Sequence, residues 1–176
     1  MVMKKFSLIA VVLIAAMLLC ACGSGDGEVQ TTGTTGGQVS EGPVGYTFTY
    51  DGVQMGVDMD ATEVLEELGE PKSRVVSASC AFDGNDILYD YRSFRLTTND
   101  EQGHERIYCI ELMDDMAQTE KGIKFGSTSE AITAAYGDPT TTNAGGFIYE
   151  KEGMELRFLL KDGKVTSIQY LLKAAA

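Results

Sequence analysis

The chain of 176 residues has no tryptophan and a single histidine. Nucleophilic catalysis needs a base beside the nucleophile, and His104 stands in the polar turn Asn99-Asp100-Glu101-Gln102-Gly103-His104, where it reads as a solvated loop residue. No set of histidine, cysteine and carboxylate has zinc-ligand spacing. Asp83-Gly84-Asn85-Asp86 lacks the twelve-residue pattern of a calcium loop. Asp58 with Asp60, and Asp114 with Asp115, are placed for capping and turns rather than for acid/base work. No catalytic residue, cofactor or metal is therefore assigned, and the chain is not expected to be an enzyme. Basic residues are scarce as well, 14 against 26 acidic ones for a net charge of −12. A surface of that sign repels phosphate backbones and argues against nucleic-acid binding. It suits a soluble body held off an anionic membrane, with capture of a cation or a basic partner as the second use.

Long apolar runs are also missing, with one exception. Phe6 to Leu19 follows Lys4 and Lys5 and carries no charge. It is shorter than the roughly 20 apolar residues of a spanning helix and has the layout of a secretory signal. The exit, Leu19-Cys20-Ala21-Cys22 followed by Gly23-Ser24, resembles the lipobox of bacterial lipoproteins. That resemblance implies a leader of residues 1–21, cleaved between Ala21 and Cys22, and a diacylglyceryl group on the Cys22 sulfur. Cys20 is the rival acceptor, but bulky Leu19 precedes it. Two acyl chains, at about 0.8 kcal/mol per buried methylene, hold a protein at a membrane where one would be marginal. The expected location is the outer, extracytoplasmic face of the cell membrane. Residues 22–45 are rich in glycine and threonine and lack aromatics, the composition of a flexible tether.

Cys80 and Cys109 remain, in a compartment where disulfides persist. They read either as a bridged pair or as two buried free thiols, because sequence does not give the distance between their Cα atoms.

Beyond the tether similar text occurs twice. Gly52-Val53-Gln54-Met55-Gly56 precedes Asp60 to Pro71, and Gly122-Ile123-Lys124-Phe125-Gly126 precedes Ser127 to Pro139. Asp60 with Glu63, and Ser127 with Glu130, have capping-box spacing, while Gly69-Glu70-Pro71 and Gly137-Asp138-Pro139 are stop signals. Ala61, Val64, Leu65 and Leu68 make an apolar stripe, which Ile132, Ala135 and Tyr136 repeat in part. Strands are predicted at Tyr46–Tyr50 and Val53–Met55, at Ile87–Leu96 and Arg106–Met113, and at Phe147–Lys151, Met154–Leu160 and Lys164–Leu172. The predicted class is α+β: two tandem repeats, residues 46–118 and 119–173, each a short helix followed by an antiparallel meander, with the sheets continuous or side by side.

Glu63-Val64 with Leu68-Gly69-Glu70-Pro71 is similar to the helix text of the small lipoproteins of outer-membrane assembly, and the tandem arrangement resembles the β-lactamase inhibitory protein family. Ser79-Cys80-Ala81-Phe82-Asp83-Gly84-Asn85-Asp86 with Tyr89-Asp90-Tyr91, and Gly122 to Thr128, look like a family of Gram-positive surface lipoproteins. The inhibitor family binds through an aromatic sheet face that includes tryptophan, which is absent here, and the assembly lipoproteins carry one copy of the unit. Neither activity is carried over. Tyr89, Tyr91, Phe94, Tyr108, Tyr149 and Phe158 are the candidate binding surface, with Phe147 and Tyr170 as further strand aromatics. A non-catalytic module that binds or scaffolds an envelope protein is the expected function. The alternative is a ligand or cation sensor, or an enzyme, with an acidic pocket between the repeats.

Overall fold

A computed structural model describes residues 45–173. The leader, Cys20, Cys22 and nearly all of the tether lie outside the described residues. A hairpin comes first, β1 (Phe48–Tyr50) and β2 (Val53–Met55), joined at Asp51-Gly52. Helix α1 (Ala61–Leu68) follows, then β3 (Ser73–Ala78), β4 (Asn85–Asp90), β5 (Phe94–Asn99) and β6 (Arg106–Leu112). Helix α2 (Ser129–Tyr136) leads into β7 (Thr141–Asn143), β8 (Gly146–Lys151), β9 (Met154–Lys161) and β10 (Lys164–Leu172).

This architecture corrects the α+β expectation of tandem repeats. The described residues are mostly β: β3 to β10 form one antiparallel sheet in the order β3-β4-β5-β6-β10-β9-β8-β7, and among them the α-helices are only two, of eight residues each. The β6–β10 pairing, Leu112 opposite Ile168 and Ile110 opposite Tyr170, fuses all eight strands into a single sheet. Eight-residue helices are too short to stand without tertiary packing, so they serve as cover for one face of that sheet.

Local chemistry sets the helix limits. The Asp60 carboxylate accepts the Thr62 N–H at 2.8 Å, and these bonds hold its pKa below the usual carboxylate range. At α2 the cap is Thr128, whose hydroxyl accepts the Ala131 N–H at 3.3 Å, and not Ser127, which turns back to accept from Lys124. Gly69 and Gly137 end the helices at positive φ, donating to Leu65 and Thr133 carbonyls.

Two strands were not anticipated, and one was divided. Ile87–Leu96 is not a single strand: the chain reverses at Tyr91-Arg92-Ser93, where the Tyr91 N–H donates to the Phe94 carbonyl at 3.0 Å. β3 and β7 lie at the two edges and show little alternation. In an antiparallel sheet directly paired residues share a face, so the registers can be read as rungs. One runs Tyr89, Leu96, Ile110, Tyr170, Leu156, Tyr149, and the next Phe94, Leu112, Ile168, Phe158, Phe147. All but Phe147 are buried, and they share a core with Ala61 and Val64 of α1, Ile132 of α2 and Phe48 and Met55 of the hairpin.

Candidate functional site

The rungs between those carry the other face, on which no described helix lies. One crosses all eight strands: Ser73, Asp90, Arg95, Glu111, Gln169, Arg157, Ile148, Thr141. Its middle is a line of alternating charge. Arg95 stands between Asp90 and Glu111, 3.8 Å from each, and Gln169 donates to Glu111 at 3.0 Å. Arg157 is tied to Glu155 at 2.5 Å. Neither carboxylate is within hydrogen-bond reach of the Arg95 Nε, which is buried without a partner. A guanidinium held loosely between two carboxylates on an open sheet is well suited to re-pair with an incoming carboxylate or carbonyl.

The neighbouring rung runs Val75, Leu88, Thr97, Cys109, Leu171, Glu155, Glu150. From β3 to β10 it is apolar except for Thr97 on β5, and it is acidic beyond. Charged and apolar rungs side by side give this face the mixed character of a protein-binding surface.

The aromatic residues chosen from sequence fall mostly on the opposite side. Tyr89, Phe94, Tyr149 and Phe158 belong to the buried rungs, and Tyr91 stacks on Phe94 with ring centroids 4.9 Å apart. These five are corrected from binding surface to core, because alternation places them on the face that α1, α2 and the hairpin cover. The hydroxyls of the three tyrosines bond inside the fold. Tyr89 donates to Glu105 at 2.7 Å, as does Thr98 at 2.6 Å. Tyr170 and Phe147 also sit on the covered face.

Tyr108 alone of the six stays outside that core. It lies at the bulge of β6, packed against Phe82 at 5.3 Å, and burial together with nearby Asp86 pushes its hydroxyl pKa to about 12. Cys109 is half-buried beside it, its thiol raised to about 12 by burial and then by Glu111. Cys80 is exposed in the turn after β3. Both cysteines are free thiols, so the bridged reading is corrected, and so is the burial of Cys80.

Arg95, Glu111, Gln169 and Arg157 were missed. The signal was present: each is the polar residue between two apolar ones, as in Phe94-Arg95-Leu96 and Leu156-Arg157-Phe158. Among the described residues no group of three or more His, Cys, Asp or Glu is placed to hold a metal. His104 is exposed, and Asp114 caps a turn by accepting the Met116 N–H at 2.9 Å. A shallow cleft of about 560 Å³ is lined by α1 and the start of the sheet, from Leu65 to Tyr91, and so does not lie between the two expected repeats. Compared with known proteins, the chain matches no family model, and no curated protein or solved structure matches it significantly.

Proposed function

We propose that the chain is a membrane-anchored extracytoplasmic lipoprotein whose β body is a non-catalytic module for binding or scaffolding an envelope protein. The sheet face that neither described helix covers carries this reading, with its line of Asp90, Arg95, Glu111, Gln169 and Arg157 next to a largely apolar rung. A folded sheet normally buries one face and solvates the other with scattered polar residues. Here half-buried Leu88, Cys109 and Leu171 stand in one line with Val75, which is 56 % exposed. Apolar surface gathered in that way favours contact with a second protein. The layout of residues 1–24 supports the anchor, with diacylglyceryl on Cys22 as the membrane contact.

Two measurements test the parts separately. Cys22→Ala is expected to release the protein from the membrane fraction, and an unchanged membrane fraction rejects the anchor. Arg95→Glu is expected to remove a defined envelope protein from the set co-purified with the detergent-extracted chain. Recovery of that protein at the wild-type level rejects the sheet face as the working surface.

A further inference from the structure

The eight-stranded sheet ends in two unlike edges. β7 is three polar residues long, a short edge that offers little to pair with. β3 is six residues long, every one of them exposed, with Val75 at 56 % and Val76 at 49 %. It pairs with β4 in unbroken register and, among the described residues, has no partner on its other side. A six-residue edge of this kind presents about three N–H and three C=O groups to solvent.

Such edges are ordinarily guarded by a bulge, an internal proline, a covering element or a projecting charge. β3 has no bulge and no proline. Its one charge, Arg74, is folded back: the guanidinium lies 5.6 Å from the Tyr89 ring centre and Nε donates to the Tyr89 hydroxyl at 3.3 Å. Tyr89 in turn donates to Glu105, so Arg74 is drawn onto the Tyr89 side of the strand, without a direct ion pair among the described residues.

The cleft lies beside this edge. Leu65, Pro71 and Tyr91 form its apolar wall, Arg74 and Tyr89 line its strand side, and Glu66 and Glu70 line it from the end of α1. These carboxylates sit at the end of α1 where the helix dipole is already negative, with no basic residue in the last turn. Among the described residues no ion pair reaches Glu63, Glu66, Glu67 or Glu70. A cationic side chain entering here would gain both the carboxylates and the helix terminus.

We propose that β3 is a docking edge that takes an extended, basic segment of the protein partner as a ninth strand, with a lysine or arginine of that segment reaching the cleft at Glu66 and Glu70. The proposal rests on the binding-module reading and specifies its partner. Charge selects this occupant over a second copy of the chain. Edge-to-edge pairing of two copies would bring two acidic α1 termini to one junction, and each chain already carries −12.

The test uses the full chain in detergent and a labelled peptide of alternating valine and threonine with one central lysine, compared with the same peptide carrying glutamate. The lysine peptide is expected to bind about tenfold more tightly at physiological salt. It should also slow amide hydrogen exchange across Ser73–Ala78, and Glu66→Gln with Glu70→Gln should erase the preference. Equal binding of the two peptides, or exchange at Ser73–Ala78 that does not slow, overturns the proposal. So does slow exchange there in the free protein together with a concentration-dependent dimer, which would show that a second copy occupies the edge. The sheet-face reading stands or falls separately, on whether Arg95→Glu loses the envelope partner.

Discussion

The Tyr149 hydroxyl donates to the carbonyl oxygen of Gly137 at 3.0 Å, tying the end of α2 to β8. Tyr91 does the same for α1, reaching the Gly69 carbonyl at 3.3 Å. The last carbonyls of a helix have no partner within it, and each of these is met by a tyrosine of the sheet layer. Tyr149→Phe is expected to cost about 1 kcal/mol, and Tyr91→Phe less because its bond is longer. Urea midpoints of the two variants check the order.

Gly146 opens β8 at φ 148° opposite Leu159, and a Cβ there would overlap the carbonyl oxygen of Phe158. The neighbour is backbone, so it cannot swing aside. Gly146→Ala is expected to destabilise by roughly 3 kcal/mol or more, whereas Gly153→Ala, at a turn with open space around it, should be limited to the strain of its φ of 78°. Thermal melts of the pair separate steric overlap from backbone strain.

Alkaline pH should unfold the protein earlier than its core would suggest. Burial raises Tyr108 and Tyr136 to about 12, Cys109 to about 12 and Tyr170 well above its ordinary value. In the unfolded chain these groups lose their protons near about pH 8.5 to 10. Between those values and about 12 the unfolded state binds fewer protons than the native state, so stability falls as pH rises. The melting temperature should be flat from pH 7 to 8 and drop progressively above about 9. Tyrosinate absorbance should rise in two stages, the later one coinciding with unfolding.

The two thiols of the β body should differ sharply towards an alkylating reagent. Cys80 is exposed, whereas Cys109 is half-buried and its raised pKa leaves little thiolate at pH 8. Peptide mapping is expected to find Cys80 alkylated in the native protein and Cys109 only after denaturation. Equal labelling rates would show that β6 is accessible from the open face.

Helices were legible in the sequence because their limits are chemical: Asp60 caps one, and Gly69 with Pro71, or Gly137 with Pro139, stops each. The cap of α2 was displaced by one residue, since Ser127 and Thr128 carry equivalent hydroxyls. The fold class was not legible. A continuous sheet is one of the two arrangements the sequence allows, but pairing of β6 with β10 joins residues far apart in the chain and no local pattern selects it. β3 was missed because Val75-Val76 breaks alternation, and an edge strand with both sides exposed has no apolar period to show. The division of Ile87–Leu96 was hidden because Tyr91-Arg92-Ser93 turns without glycine or proline. For the site, alternation separated the two faces but not which of them the helices cover. Aromatic bulk drew attention to Tyr89, Phe94, Tyr149 and Phe158, while the open face was marked by the arginines and glutamates between them.

The sheet face that neither described helix covers is proposed to be where the protein meets its partner. It is tested most directly by a photo-crosslinking residue placed in the full chain, in cells, at Thr97 on that face and at Ala134 on the exposed side of α2. A discrete adduct with one envelope protein is expected from Thr97, lost when Arg95→Glu is added, and no such adduct from Ala134. The same adduct from both positions, or from Ala134 alone, would contradict it.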